Sequence, residues 1–178
     1  MKKVFIGGSR RISKLNVRVK DRLDEMMRRR LTVLIGDANG ADKAVQSYFA
    51  EHGYENVRIY CSDGDCRNNL GLWKVKSVTP PHRRRDFDFF TAKDAAMAED
   101  ADVGLMLWDG ESAGTVVNVA RLINAGKPVV VYIAPVKKFQ TLRSTSSLET
   151  LLHPCSEHTR HRLHQYVASH AIPQNALF

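Results

Sequence analysis

The chain alternates short apolar runs with stretches whose apolar residues recur every three or four positions. Lys3 to Ile6 is β-branched and apolar and stops at Gly7-Gly8-Ser9, which predicts a strand followed by a tight loop. From about Ser13 to Arg30 the residues Leu15, Val19, Leu23, Met26 and Met27 form the apolar side of an amphipathic helix. Arg28-Arg29-Arg30 then sets cations at the negative end of the helix dipole. Leu31 to Ile35 is a nearly continuous apolar run, the pattern of a strand covered on both faces, and Gly36-Asp37-Ala38-Asn39-Gly40 breaks it. The same reading gives a helix from about Ala41 to His52 and a strand from Val57 to Cys61. Further on it gives a helix from about Asp86 to Glu99, a strand from Val103 to Trp108, a helix from Val116 to Ala125 and a strand from Pro128 to Ile133. Residues 62 to 85 carry no clean period and read as a long excursion.

Strand and helix in this order predict an α/β fold: a Rossmann-like, doubly wound parallel sheet of about five strands with right-handed crossovers. Residues 1–136 form the predicted domain, and 137–178, richer in Ser, Thr and His, form a helical C-terminal extension. Ser146 with Glu149 reads as a capping box for a short helix, and a second helix runs from about Ser156 to His170. Leu163 and Val167 on that helix would dock on the domain or on a second subunit, so a homo-oligomer is expected.

Composition narrows the partners. A chain of 178 residues, 43% apolar and 26% charged, suits one sizeable core. No apolar run approaches the ~20 residues of a membrane span. The apolar stretch after Lys2-Lys3 is too short for a secretory signal. Cys61, Cys66 and Cys155 cannot all pair, and a reducing cytoplasm fits them. The net charge of +8 favours anionic ligands, either nucleotides or nucleic acid. Cys155, His158, His161 and His164 lack a second pair at zinc-site spacing, so no metal and no cofactor are expected.

In a parallel sheet the loops that follow the strands reach one edge, and ligands bind there where strand order reverses. Three glycine-bearing loops would converge at that edge, each ending in a helix start whose free N–H groups favour phosphate or carboxylate. The first offers Gly7, Gly8, Ser9 and Arg10; the second offers Gly36, Asn39, Gly40 and Asp42. The third offers Asp109, Gly110, Ser112, Gly114 and Thr115, with Asn118 one helical turn on and Lys93 from the preceding helix. Neither the Walker pattern nor G-x-G-x-x-G is present. Glu111 and Asp109 are the candidate catalytic carboxylates, since glycoside cleavage needs an acid and a stabilising carboxylate. His82-Arg83-Arg84-Arg85 reads as a solvated basic loop or as an arm over a bound phosphate. Trp108 reads as a core residue or as a stacking surface for a base.

The succession Gly7-Gly8-Ser9-Arg10, Gly36 to Asp42, Lys93 to Met97, and Asp109 to Thr115 resembles the SLOG superfamily over about residues 4–133. That superfamily includes the lysine-decarboxylase-like phosphoribohydrolases, the DNA-processing Smf/DprA proteins and the YspA-like group, whose pattern is the most similar. The Asp-Gly-x-Ser-x-Gly-Thr element carries most of the resemblance. The resemblance implies a Rossmann-like fold that binds nucleotides or nucleotide-derived ligands, with N-glycosidic cleavage in some members. Lys93-Asp94 stands where the phosphoribohydrolases carry Arg-Lys, and Asn118 stands where they carry a glutamate. Asparagine hydrogen-bonds but is neither a base nor a carboxylate nucleophile. The leading expectation is therefore binding of a nucleotide-like small molecule, as in a sensor. An N-glycosidase or transferase is the alternative. A nucleic-acid-binding module is the third reading, and the lack of aromatics within the basic runs counts against it.

Overall fold

The computed structural model describes residues 1–171 other than Asp65, Arg83 and Arg85. The apolar runs pair into one sheet of seven strands: β1 (Lys3–Gly8), β2 (Thr32–Gly36), β3 (Val57–Ser62), β4 (Lys74–Val78), β5 (Val103–Trp108), β6 (Val129–Ile133) and β7 (Lys138–Leu142). Their order is β4-β3-β2-β1-β5-β6-β7, and every neighbouring pair is parallel except β6 and β7. Strand order reverses between β1 and β5, so their carboxyl ends flank the crevice that an open α/β sheet offers to ligands.

Both faces of the sheet are covered, and this is why its central strands read as unbroken apolar runs. Val4 and Ile6 of β1 pack with Val19 and Leu23 of α1 (Val17–Arg28) and with Val45 and Phe49 of α2 (Ala41–Glu51). Phe5 points the other way, into a core shared with α3 (Phe87–Asp100), α4 (Ala113–Asn124), α5 (Thr145–Leu152) and α6 (Glu157–His170). The alternation follows from the two-residue repeat of a strand.

Two strands exceed the expected count of about five. β4 lies inside the aperiodic excursion and β7 lies inside the segment expected to be helical. Both are sheet edges. In β4 the residues Lys74 to Ser77 are exposed, and lysines at an edge block pairing with another chain. Such a strand has no apolar repeat to detect.

The tail differs from expectation in its cap. Ser144, not Ser146, opens α5, in a reciprocal box with Ser147. The Glu149 carboxylate is drawn away by His164, with Nε2 at 3.0 Å. Helix α6 begins after Ser156, whose hydroxyl accepts from Thr159 N. Leu163 is fully buried and Val167 packs on the same core, so the chain covers these apolar positions itself. Arg121 and Asn124 of α4 donate to the carbonyls of His170 and Ala171 at 3.1 and 3.3 Å and so fix the end of α6.

Cys61 and Cys66 form a disulfide with Cα atoms 5.3 Å apart, a pairing that their spacing in the sequence did not announce, and Cys155 is free. Among the described residues no helix is long and apolar enough to cross a membrane.

Leu163→Ala is expected to lower stability by about 2–5 kcal/mol in urea unfolding, the usual cost of a cavity at a buried leucine. A loss below about 1 kcal/mol, the scale of a small cap or surface effect, would contradict the docking of α6.

Candidate functional site

Close backbone approach assembles the site. A Cβ on Gly8 would lie 2.5 Å from the Leu107 carbonyl and 2.9 Å from the Ala41 Cβ, so glycine lets the end of β1 sit against both β5 and α2. Gly40 has a φ of +83°, and a Cβ there would overlap the backbone of Arg10. Ala41 N donates to Ser9 O at 3.1 Å and Ser9 N donates to Leu107 O at 2.9 Å. The three glycine loops are thereby stitched edge to edge.

Asp109 orders the third loop. Its Oδ1 accepts from the amides of Glu111 at 3.1 Å and Ser112 at 2.7 Å, and its Oδ2 accepts from Ser9 Oγ at 2.7 Å. Burial alone would raise its pKa, but the Ser9 hydroxyl and these amides outweigh burial and hold the carboxyl below its ordinary value. Glu111 is ion-paired with Arg11, and its carbonyl accepts from Arg162 of α6 at 2.8 Å. Ser112 is the N-cap of α4 but makes no side-chain capping bond; its Oγ accepts from Thr115 Oγ1 at 3.0 Å instead. The amides of Ala113, Gly114 and Thr115 therefore have no acceptor among the described residues.

Ala113, Gly114 and Thr115 line a cavity of about 580 Å³. Gly7, Gly8, Ser9, Arg10, Asp42, Lys93, Asp109, Glu111, Ser112, Gly114, Thr115 and Asn118 all line it. Gly36, Asn39, Gly40 and Gly110 do not. Gly36 makes room beneath the wall, Asn39 accepts from Asn68 Nδ2 at 3.1 Å, and Gly110 turns against Pro135 at a φ of +89°. Trp108 is buried in the core on the α3–α6 side and does not line the cavity.

Lys93 is the centre of the floor. Its side chain is 5% exposed, and Nζ lies 2.8 Å from Asp94 Oδ1, 3.9 Å from Asp37 Oδ1 and 4.0 Å from Asp42 Oδ2. A Cβ on Gly36 would stand 2.5 Å from both Asp42 Oδ2 and Lys93 Nζ, so glycine is what lets this ion cluster form. Burial by itself would lower the Lys93 pKa, yet Asp94, Asp42 and Asp37 together hold it above the usual lysine value. Burial would likewise raise Asp37, but Arg67, bound through Nε at 3.0 Å and Nη2 at 2.8 Å, keeps it ionised. Asp42 has the poorest partner: burial pushes it up to about 6, against the pull of Lys93. Asn118 is spent on structure, donating to Asp94 Oδ2 at 3.0 Å and accepting from Arg121 at 3.1 Å.

Arg11, Phe87, Phe90, Asp94 and Arg162 also line the cavity and were not among the expected site residues. The three-residue spacing of Phe87 and Phe90 puts both on one helix face, a signal present in the sequence. The guanidinium carbons of Arg10 and Arg67 sit 5.8 and 5.6 Å from the Phe90 ring centre, within cation–π range. Of the basic cluster before α3, His82 and Arg84 approach Asp86 at 3.6 and 3.8 Å, and Asp86 lines the cavity and caps α3. Arg83 and Arg85 lie outside the described residues.

No family model matches the chain, and no curated protein matches it. A solved structure of DNA processing protein A from Helicobacter pylori, described for its single-stranded DNA binding mode, is similar in fold at a TM-score of 0.55 and 17% identity. The likeness covers 95% of this chain and 81% of that one. At this identity it speaks for the fold. The fold is thus shared with a DNA-processing protein.

Folded Asp42 keeps its proton to about pH 6, whereas the ordinary value is 3.8, so the folded state binds more protons between those limits. Its contribution to stability therefore falls as pH rises through that window. Asp42→Asn is expected to flatten this component when urea midpoints of variant and parent are compared between about pH 4 and 7. An unchanged pH profile would contradict the assignment.

Proposed function

We propose that the protein binds single-stranded nucleic acid and takes one nucleotide unit into the cavity at the carboxyl edge of the sheet. One observation carries this reading: three acceptor-free amides at the start of α4, the Arg10 guanidinium and the Phe90 ring share one recess. Amides at a helix start take a phosphate, guanidinium adds a charge-assisted bond, and an aromatic face stacks on a base. Lys93, Asp42 and Asp94 divide the cavity electrically. Carboxylates on the floor repel phosphate and accept from sugar hydroxyls or base amino groups, while amides and arginines at the rim take the anion.

Two further facts support the nucleic-acid reading over a free nucleotide. The chain carries a net charge of +8, and Arg11 and Arg162 stand at the rim beside Arg10. The fold is similar to that of a protein described by its binding of single-stranded DNA. The scarcity of aromatics within the basic runs loses its weight, because folding carries Phe90 to Arg10 across 80 positions.

A small nucleotide-derived ligand is the second reading, favoured by the burial of Lys93 at the bottom of a recess sized like ordinary ligand pockets. Catalysis has the least support. Asp109 is held by loop hydrogen bonds, Glu111 is paired with Arg11, and Asn118 is already committed to Asp94 and Arg121.

Fluorescence anisotropy with a labelled single-stranded oligothymidylate tests the proposal. Binding is expected to weaken with salt and to exceed binding of a duplex. Phe90→Ala should weaken it by about 1–3 kcal/mol, the worth of one base stacked on an aromatic ring. Gly114→Glu, which sets a carboxylate in open space at the start of α4, should abolish it. Equal affinity for duplex, or no binding, contradicts the proposal. Stoichiometric binding of nucleoside monophosphates without any binding of oligonucleotides would favour the second reading.

A further inference from the structure

We infer that a bound strand continues past the cavity into a second nucleotide subsite on the other side of the loop that follows β1, with Arg11 at the crossing. This rests on the nucleic-acid reading of the first cavity; a free nucleotide would have no use for the second.

A separate recess of about 420 Å³ lies between residues 11–16, the end of β5 and the turn after β6. Its walls include Leu107 and Tyr132, which belong to the core on the α1–α2 face. The first cavity is walled by Phe5 and Met97 from the opposite core. The two recesses thus open on opposite faces of the sheet at the same carboxyl edge, and Arg11 lines both.

The chemistry of the second recess suits a nucleotide in a chain. Arg11, Lys14 and Lys137 are exposed around it, and among the described residues no carboxylate lines it, in contrast to the acidic floor of the first. Ion pairing with Glu111 uses only Nη1 of Arg11; among the described residues Nε and Nη2 have no partner and are free to fork onto a phosphodiester. Tyr132 lines the recess, and its hydroxyl makes no hydrogen bond among the described residues, which leaves it open to a ligand. Leu15 adds an apolar wall for a base. Cations without competing carboxylates recognise a phosphodiester backbone, and two recesses joined by one arginine fit a strand laid across the edge of the sheet.

The test compares oligothymidylates of one to eight nucleotides on the full chain and on the double variant Lys14→Glu/Lys137→Glu. Both positions are exposed and lie outside the first cavity, and urea midpoints confirm that the variant is folded. The parent is expected to gain affinity steeply beyond one nucleotide. The variant should forfeit that gain, binding longer strands about tenfold or more weakly, with a salt slope reduced by about 0.7 for each phosphate that is no longer neutralised. Its affinity for thymidine monophosphate should be unchanged. If the folded variant binds long strands as the parent does, the second subsite is overturned while the first-cavity reading stands. If the parent binds no oligonucleotide at any length, both are overturned.

Discussion

The arrangement depends on one buried ammonium. Lys93 sits among Asp94, Asp42 and Asp37, and a charge at such depth is tolerable only when paired and hydrogen-bonded. Each partner comes from a different piece of the chain: Asp37 from the loop after β2, Asp42 from α2, and Asp94 from α3 itself. Asp94 then holds Asn118 of α4, Asn118 holds Arg121, and Arg121 reaches the last carbonyl of α6. One cation therefore sets the relative position of the loop after β2, of the helices α2, α3 and α4, and of the C-terminal helix. The space for it exists because Gly36 has no side chain. Gly36, expected among the ligand contacts, makes room for charge beneath the cavity wall.

That cluster also shapes what the surface can bind. With its carboxylates on the floor, the anion-seeking groups this cavity presents are the amides at the start of α4 and the arginines at the rim. In the proposed reading, a phosphate bound there would direct sugar and base inward, toward Phe90 and the carboxylates. The reversal of strand order between β1 and β5 places a more basic recess across the edge. An extended polyanion would meet cations on both faces of the sheet, whereas a lone nucleotide would meet only one set.

The buried strands and the helix faces were legible because each buries an apolar stripe with its own period. Val103–Trp108 is the clearest case, a continuous apolar run whose bounds agree with the structure. β4 and β7 were not legible: Lys-Val-Lys-Ser-Val and Lys-Phe-Gln-Thr-Leu are edge strands, held by backbone pairing more than by burial. Most expected site residues do line the cavity, since strand–glycine–helix junctions place them at the edge by topology alone. The roles within the cavity were less readable. Nothing near Lys93 in sequence, apart from Asp94, announces its partners, and Asp37 and Asp42 come from more than 50 positions away. Arg162 reaches Glu111 from the tail, an approach that no local pattern encodes.

The most direct test of the account is amide chemical-shift mapping by NMR as a short single-stranded oligonucleotide is titrated in. The largest shifts are predicted to fall on Ala113, Gly114 and Thr115 and on Gly8 to Arg11, residues that line the cavity. Large shifts confined to α5 and α6, with the start of α4 unmoved, would contradict the account.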